Sequence, residues 1–367
     1  MAHRFQLIVI NPGSASTKFA VYEDEQALFS VNLRHSEEEL ARFRSKSILE
    51  QKEFRLALIE HELHQRGISA TQFAAAVGRG GLLRPLASGT YRVNEEMLAE
   101  LRQAERGEHA SNLGAFLAHA IAERGATPAF IVDPVSVDEW PEKARLSGSA
   151  TVERQCLSHA LNTKAVAKRF ARERGRRYED LHLIVAHIGS GISVSAHEHG
   201  QMVDVTNSRE EGAFSTERAG TVPCMKWTEL CLSGKYTAKQ LESFLFREGG
   251  LYSYLGTKDL EEVERRIAAG DSRAALVFEA MVYQIAKEVG AMSAALRGRV
   301  DAILITGGMA HSKKLVANLR SHIYWIGPLH VYAGEDELQA LAEGALRVLR
   351  GEEQVHEYGS AAVALTR

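Results

Sequence analysis

The chain has 367 residues, and its 44 Lys plus Arg against 47 Asp plus Glu give a formal net charge of −3 at pH 7. At about 150 residues per domain, this length predicts two domains. The composition, with 45% hydrophobic and 25% charged residues, excludes a largely disordered chain. The balanced charge argues against a nucleic-acid partner, and the apolar runs are too short for a membrane helix or a signal peptide, so we expect a cytoplasmic protein.

The first half of the chain alternates predicted strands with predicted helices. An apolar run at 5–10, the turn NPGSAST and a second apolar run predict a strand–turn–strand hairpin. Ser36 and Glu39 have the spacing of a helix capping box. Apolar residues at helical spacing predict helices at 54–66, 94–102 and 113–124, and the runs FAAAVG (73–78) and AFIV (129–132) predict buried strands. This alternation indicates an α/β fold.

The second half begins with a predicted helix at 159–174 and then repeats the opening pattern. Leu7-Ile8-Val9 before Gly13-Ser14 has a counterpart in the apolar run 183–185 before Gly189-Ser190, at an offset of 183 − 7 = 176 residues. A weaker match pairs the strand at 129–134 with the run AILITGG at 302–308. Since this offset is close to half the chain, we infer an internal duplication of one domain.

Each copy begins with a glycine turn between two strands. Glycine lacks a Cβ, so main-chain N–H groups can approach an anion closely at such a turn. The sequence has no GxxxxGK[ST], no GxGxxG after a strand and no GxSxG. If the protein binds phosphate groups, we therefore predict that the two hairpin turns bind them.

Segments along the whole chain resemble the acetate/butyrate kinase family, which belongs to the superfamily of sugar kinases and actin-like ATPases. The motifs are INPGSASTK (10–18), HIGSG (187–191), FSTERAG (214–220) and ITGGMA (305–310). Within this family, the chain is most similar to the butyrate kinase branch. The segments that carry this similarity are NLRHSEEEL (32–40), HASNLGA (109–115), HALNTKAVAKRFA (159–171) and 332–353. The resemblance implies an α/β protein of two duplicated actin-like, ribonuclease H-like domains around a nucleotide cleft. The implied N-terminal domain is 1–157 plus 338–367, and the nucleotide-binding domain is 158–337.

The activity implied by the resemblance is the reaction of butanoate with ATP to give butanoyl phosphate and ADP, by in-line transfer with Mg²⁺. A carboxylic acid of pKa about 4–5 is already ionised at pH 7, so no general base is needed. The obstacle is repulsion, since two unit charges about 4 Å apart repel by about 4 kcal/mol at an effective dielectric near 20. Arginine suits both anions because its planar guanidinium is permanently charged. The family is usually dimeric or larger, which implies a homo-oligomer.

The catalytic residues follow from the same resemblance. Arg79, after the predicted strand 73–78, and Arg218, in FSTERAG, match arginines that line the family's site for the carboxylate and the transferred phosphoryl group. His159 matches a His that helps hold this phosphoryl group, to which an imidazole can donate a hydrogen bond. Asp133 matches an Asp that orients the site or its metal-bound water, but an Asp at a strand end is also a common turn cap.

The ligand-binding residues are also assigned by the resemblance. The nucleotide would be bound by Asn11, Ser14, Ser16, Lys18, His187, Gly189, Ser190, Gly191, Asp259, Gly307 and Gly308. The acid would contact Arg79, Gly80, Gly81 and His109, and Mg²⁺ would be held by Asn11 and Glu337. An acidic residue at a helix N-terminus also favours the helix dipole without a metal, so a structural role of Glu337 stays open.

Two departures from the family pattern bear on specificity. Relatives commonly carry Asp-x-Arg after GLYSYLG, with the Arg on the nucleotide, whereas this chain has Asp259 followed by Leu260 and Glu261. The choice of nucleotide therefore stays open. Gly80 and Gly81 stand where acetate kinases have two valines, which predicts room for a longer acyl chain and favours butyrate over acetate.

Other functions stay open at this point. The chain could phosphorylate another short acid, such as acetate, propionate or a branched-chain acid. A hydroxyl or sugar kinase of the same superfamily would need a carboxylate base, for which Asp133 is the candidate. A third alternative is an actin-like nucleotide switch without catalysis. The pairs His61–His64 and His197–His199 lack the spacing of a zinc motif and are predicted to lie on solvated faces.

Overall fold

The computed structural model describes residues 4–44 and 46–359 of the chain. The chain divides into two compact units, Met1–Asp138 with Asp336–Arg367, and Glu139–Glu335. The end of the predicted first domain, 360–367, lies outside the described residues. Within the described ranges, no helix has the length and apolar character needed to cross a membrane.

The elements alternate along the chain much as the sequence predicts. The first part of the chain contains β1 (Gln6–Pro12), β2 (Ser16–Glu23), β3 (Gln26–Arg34), α1 (Glu37–Ala41), α2 (Lys52–Gln65), β4 (Ala75–Arg79), β5 (Thr90–Arg92), α3 (Glu95–Gln103), α4 (Asn112–Gly125) and β6 (Ala129–Val132). The second unit contains α5 (Glu142–Arg145), α6 (Ala160–Glu173), β7 (Leu183–Ile188), β8 (Ile192–Glu198), β9 (Gln201–Val205), α7 (Cys224–Leu232), α8 (Ala238–Phe246), α9 (Gly250–Leu255), α10 (Leu260–Ala268), α11 (Ser272–Ala295), β10 (Ala302–Gly307), α12 (Lys313–Ile323) and β11 (Leu329–Ala333). The chain then returns to the first unit with α13 (Glu337–Leu349) and β12 (His356–Glu357).

Strand β1 lies inside the first sheet, whose order is β12-β5-β6-β4-β1-β2-β3. It pairs with β2 in antiparallel and with β4 in parallel orientation. Its residues 7–10 are fully buried, which is typical of a strand covered on both faces. Ile8 and Ile10 share a hydrophobic core with Leu113 and Leu117 of α4, and α13 also packs against β1.

The second sheet has the order β11-β10-β7-β8-β9 and repeats the topology of the first. Strands β7 and β8 are antiparallel, and β10 runs parallel to β7, as β4 does to β1. This repetition supports the predicted duplication. The predicted partner of the run 302–308 is wrong, however. Strand β10 lies beside β7, as β4 lies beside β1, so the counterpart of β10 is β4 and not the strand at 129–132.

The predicted domain boundaries differ from the division of the structure. The resemblance implies that the segment 139–157 belongs to the first domain, but the structure places it in the second unit. Glu139 Oε2 accepts hydrogen bonds from Lys164 Nζ at 2.5 Å and from the Met202 N–H at 2.7 Å. At the other end, Glu337 belongs to the first unit, because it begins helix α13, which packs on the first sheet.

Local signals in the sequence are confirmed where they are strong. Ser36 and Glu39 form the predicted capping box of α1, and α2, α3, α4 and α6 agree with the predicted helices within a few residues. The prediction for His197 is wrong, since its side chain is fully buried. Its ring nitrogens lie 2.5 Å from Tyr178 Oη and 2.8 Å from Ser195 Oγ, and these two partners explain why a polar ring is tolerated there.

Candidate functional site

Three predicted residues of the first unit meet at the carboxyl ends of β1 and β4. Asn11 lies near the end of β1, and Arg79 ends the adjacent strand β4. Glu337, the first residue of α13, accepts a hydrogen bond from Asn11 Nδ2 at 2.5 Å and forms an ion pair with Arg79. The side chains of Arg79 and Glu337 keep 15% and 19% of their surface exposed, so a small ligand can still reach them. Residues far apart in the sequence therefore form one cluster of opposite charges.

The other predicted residues of the first hairpin lie beside this cluster. The register of β1 and β2 places Lys18 opposite Asn11, and neighbours across an antiparallel pair are close enough for their side chains to interact. Ser14 is exposed and Ser16 half-buried at the turn between the strands. Residues of the predicted nucleotide set are thus grouped at one hairpin.

Asp133 is held at the turn that precedes β5. It is buried at the end of β6 with a positive φ of 38°, a conformation in which Asp is enriched among non-glycine residues. Its Oδ1 accepts hydrogen bonds from Ser88 Oγ at 2.6 Å and from the Gly89 N–H at 2.8 Å. These contacts favour the turn-cap alternative over a base for a hydroxyl substrate.

The space beside Gly80 and Gly81 is occupied, which overturns the predicted reason for a longer acyl chain. A Cβ on Gly80 would lie 2.3 Å from the Cβ of Pro134. A Cβ on Gly81 would lie 2.5 Å from Oδ1 and 2.7 Å from Cα of Asn112, whose Oδ1 accepts the Leu82 N–H at 2.9 Å. The two glycines therefore allow close packing of the chain and do not open a pocket.

A valine at position 81 tests this packing argument. Gly81→Val is expected to lower the free energy of unfolding by about 1–3 kcal/mol, because overpacking forces the Asn112 backbone to move. Urea denaturation measures the change, and Gly148→Val, where a Cβ meets nothing within 4 Å, is the control. If Gly81→Val keeps full stability and shifts the preference from butyrate to acetate, the pocket explanation is right after all.

His109 lies outside this close packing. It is exposed just before α4, and its Nδ1 is 2.9 Å from Ser111 Oγ and accepts the Ser111 N–H at 3.2 Å. These bonds order the turn that starts the helix. Its predicted contact with the acid stays a prediction.

Two histidines of the second unit are brought together at the end of β7. The rings of His159 and His187 stack with centroids 3.8 Å apart and planes 10° apart. His187 Nδ1 lies 3.0 Å from Asn162 Oδ1, and its Nε2 lies 3.1 Å from Glu335 Oε1. Ser193 Oγ is 2.9 Å from His159 Nδ1 and fixes that ring. Glu335 also lies 3.1 Å from where a Cβ of Gly189 would be.

Arg218 lies directly against the second glycine turn. A Cβ on Gly191 would be 2.5 Å from one guanidinium nitrogen of Arg218 and 2.8 Å from its central carbon, so a larger residue there would displace this guanidinium. The guanidinium donates to the main-chain oxygen of Ser208 at 2.8 Å. Burial lowers the pKa of Arg218, and no carboxylate among the described residues forms an ion pair with it. A largely buried cation thus adjoins the predicted phosphate-binding turn.

Ser215 connects this arginine to the turn, and the sequence reasoning did not identify it. Its hydroxyl donates to the main-chain oxygen of Ser190 at 2.5 Å and accepts the Arg218 N–H at 3.1 Å. The only signal in the sequence was its place in the FSTERAG motif. Arg55 of α2, which binds the main-chain oxygen of Gly13, was also missed, although it lies on the same helical stripe as the buried Ile59 and Leu63.

The remaining nucleotide candidates have different surroundings. Gly307 ends β10 with φ of 92°, and a Cβ there would lie 2.4 Å from the main-chain oxygen of Ile188, so glycine is required. Gly308 has open space on its Cβ side. Asp259 is exposed and caps α10 by accepting the Glu261 N–H at 2.9 Å. Its nucleotide contact stays a prediction.

The cluster at Glu337 fits the way in which proteins hold Mg²⁺. Asn11 and Glu337 supply one amide and one carboxylate, and they lie in hydrogen-bond contact. Mg²⁺ takes oxygen ligands and is commonly bound through one or two carboxylates plus substrate phosphates and water. These two side chains suit such a shared site.

Two copies of one five-strand order, each with a glycine turn after its first strand, define the class of actin-like ATPase folds. Residues 150–330 match the sequence profile described as the acetokinase family.

Solved structures extend the likeness over nearly the whole chain. Acetate kinase from Porphyromonas gingivalis has 20% identity and a TM-score of 0.79, over 94% of this chain and 100% of that one. A propionate kinase from Francisella tularensis subsp. tularensis SCHU S4 has 18% identity and a TM-score of 0.73, over 92% and 98%. Acetate kinase from Entamoeba histolytica has 13% identity and a TM-score of 0.74, over 92% and 98%. The chain therefore has the fold of these acid kinases.

Proposed function

We propose that this chain is a cytoplasmic ATP-dependent carboxylate kinase that converts butanoate and ATP into butanoyl phosphate and ADP. The observation that carries the proposal is the guanidinium of Arg218. It is largely buried against the second glycine turn, without an ion-pair partner among the described residues. A buried cation without a counter-ion is costly, and an anionic ligand supplies the missing charge. Transfer between two anions requires such a group.

The proposed reaction needs charge neutralisation and no proton transfer. A carboxylate oxygen of the acid attacks the γ-phosphorus of ATP, and the bond from this phosphorus to the bridging oxygen breaks, which leaves that oxygen on ADP. Arg79 would bind the acid, since its fork matches a carboxylate. Arg218 and His159 would stabilise the transferring phosphoryl oxygens, with Ser193 fixing the His159 ring.

Magnesium would be held by Asn11 and Glu337, and when bound it neutralises charge on the phosphate groups. Glu337 is ion-paired with Arg79 in the structure, so the same carboxylate would serve both the acid-binding arginine and the cation site. The contacts of Asp133 with Ser88 and Gly89 favour this carboxylate kinase over a hydroxyl kinase, which would need a base directed at its substrate.

The preference for butyrate rests on the segments that resemble the butyrate kinase branch, since Gly80 and Gly81 do not provide extra space. An assay of ADP release tests this preference. It uses Mg²⁺, ATP, unbranched acids of two to six carbons, and isobutyrate. We expect the highest kcat/KM for butyrate and a broad profile, because one methylene changes binding by only about 1–3 kcal/mol. A higher kcat/KM for acetate contradicts the butyrate assignment. ADP release that no acid stimulates contradicts the carboxylate kinase itself and favours the nucleotide switch.

We also propose that the chain forms a homo-oligomer, as the resemblance implies. Among the described residues, none on α7 or α8 is buried, and Met225 and Leu232 are 72% and 81% exposed. Both side chains lie on α7, and exposed apolar side chains grouped on one helix commonly form an interface. A sedimentation-equilibrium mass of a single chain would contradict this proposal.

A further inference from the structure

Arg55 is a fully buried cation behind the first glycine turn. It lies in α2, and none of its surface is exposed. Its guanidinium donates hydrogen bonds to the main-chain oxygens of Gly13 at 2.8 Å, Ser14 at 3.2 Å and Ser16 at 2.8 Å. One side chain thus binds nearly every carbonyl of the turn, which orients these oxygens toward the protein interior.

The other bonds of Arg55 also go to neutral acceptors. The guanidinium donates to Thr17 Oγ1 at 2.9 Å and to Gln51 Oε1 at 2.7 and 3.0 Å. No carboxylate in the described part of the chain forms an ion pair with it, and burial lowers its pKa to about 10. Burial and the nearby Arg55 also lower the pKa of His35, which favours the neutral imidazole beside this cation. The charge of Arg55 is therefore not neutralised within the first unit.

The opposite side of the turn offers hydrogen-bond donors. The carbonyl of Ala15 accepts the His35 N–H at 2.9 Å, and the Gly13 N–H is bound to the Ser16 carbonyl at 2.8 Å. The main-chain N–H groups of Ser14 and Ala15 have no protein acceptor among residues 4–44 and 46–359, and both residues are exposed. Adjacent N–H groups of this kind form anion-binding concavities in proteins.

We propose that Arg55 is a positioning residue for phosphate binding at the turn 13–16. It holds the carbonyl oxygens inward so that the Ser14 and Ala15 N–H groups are available to a phosphate group, and the bound anion supplies the counter-charge that Arg55 lacks. The inference rests on the proposed function, because that function places a nucleotide at this turn. It adds a residue that does not touch the ligand and acts through the main chain.

Binding of Mg·ATP to Arg55→Gln, measured by isothermal titration calorimetry, tests the proposal. We expect the Kd of Mg·ATP to rise by about 10- to 100-fold, the range for losing hydrogen bonds to a charged group. The KM of the acid should stay within about twofold, because Arg79 lies at the end of β4 and none of the hydrogen bonds of Arg55 goes to it. Arg55→Lys keeps the charge and should recover part of the affinity. Arg66→Gln, at the exposed end of the same helix, should bind Mg·ATP normally.

Several outcomes would overturn the proposal. One is a folded Arg55→Gln variant that binds Mg·ATP within about threefold of the unmodified protein. Another is an equal rise in Kd for Mg·ATP and in KM for the acid, which indicates general loosening of the unit. If Arg55→Gln does not fold, the same comparison is made on Arg55→Lys. If the unmodified chain binds Mg·ATP but phosphorylates no acid, only the proposed function fails. If it binds no Mg·ATP, both fail.

Discussion

Arg218→Ala is expected to lower kcat by roughly 10³-fold or more, the range of an arginine that stabilises a transferring phosphoryl group. The guanidinium is packed against Gly191 and is bound to the Ser208 carbonyl, so it is already oriented before ligands arrive. Such preorganised charge stabilises the transition state without reorganisation during the reaction. The measurement is ADP release at saturating butyrate and Mg·ATP, with the unfolding midpoint recorded for the same protein.

The control for this variant is Arg209→Ala. Arg209 is exposed, and its guanidinium stacks on the Phe246 ring at 4.8 Å. Its removal should leave kcat within about twofold. Arg218→Lys should recover little activity, because an ammonium group cannot replace the planar fork at this packed position. A kcat of Arg218→Ala within about tenfold of the unmodified enzyme would remove Arg218 from the reaction.

Arg79→Ala is expected to raise the KM of the acid by at least about 30-fold, since truncating one partner of a partly buried charge pair costs about 2–5 kcal/mol. Arg79 is the cation at the end of β4, and its guanidinium contacts the Glu337 carboxylate. An incoming carboxylate would therefore meet a cation already held in place. Initial rates at varied butyrate and fixed Mg·ATP measure this effect.

Glu337→Gln separates acid binding from cation binding at the same cluster. It removes the charge that Asn11 and Arg79 contact, so the Mg²⁺ concentration needed for half-maximal rate should rise. The KM of the acid should change far less than in Arg79→Ala, because the guanidinium that binds the acid remains. The control for Arg79→Ala is Arg92→Ala. It removes an exposed arginine of the same sheet, which forms an ion pair with Glu357. Should Arg79→Ala raise the KM of ATP as much as that of the acid, the assignment of Arg79 to the acid is wrong.

The local elements and the repeated hairpins of this protein could be predicted from residues that are close together in the chain. The capping box at Ser36, the helices that became α2, α4 and α6, and the glycine turns after β1 and β7 all depend on residues within one or two turns of each other. Such signals are contained in short windows of sequence. Arg79 and Arg218 are predicted to act in the site because one follows a buried strand and the other lies in the motif FSTERAG.

Which distant residues meet depends on how the folded chain packs. Glu337 joins Asn11 across 326 positions, and no spacing in the sequence predicts that α13 returns to the first sheet. The same holds for Arg55 under the turn at Gly13, and for Pro134 and Asn112, which occupy the space that two glycines were predicted to leave open. Packing against a particular neighbour decides whether a missing side chain opens a pocket or admits another part of the chain.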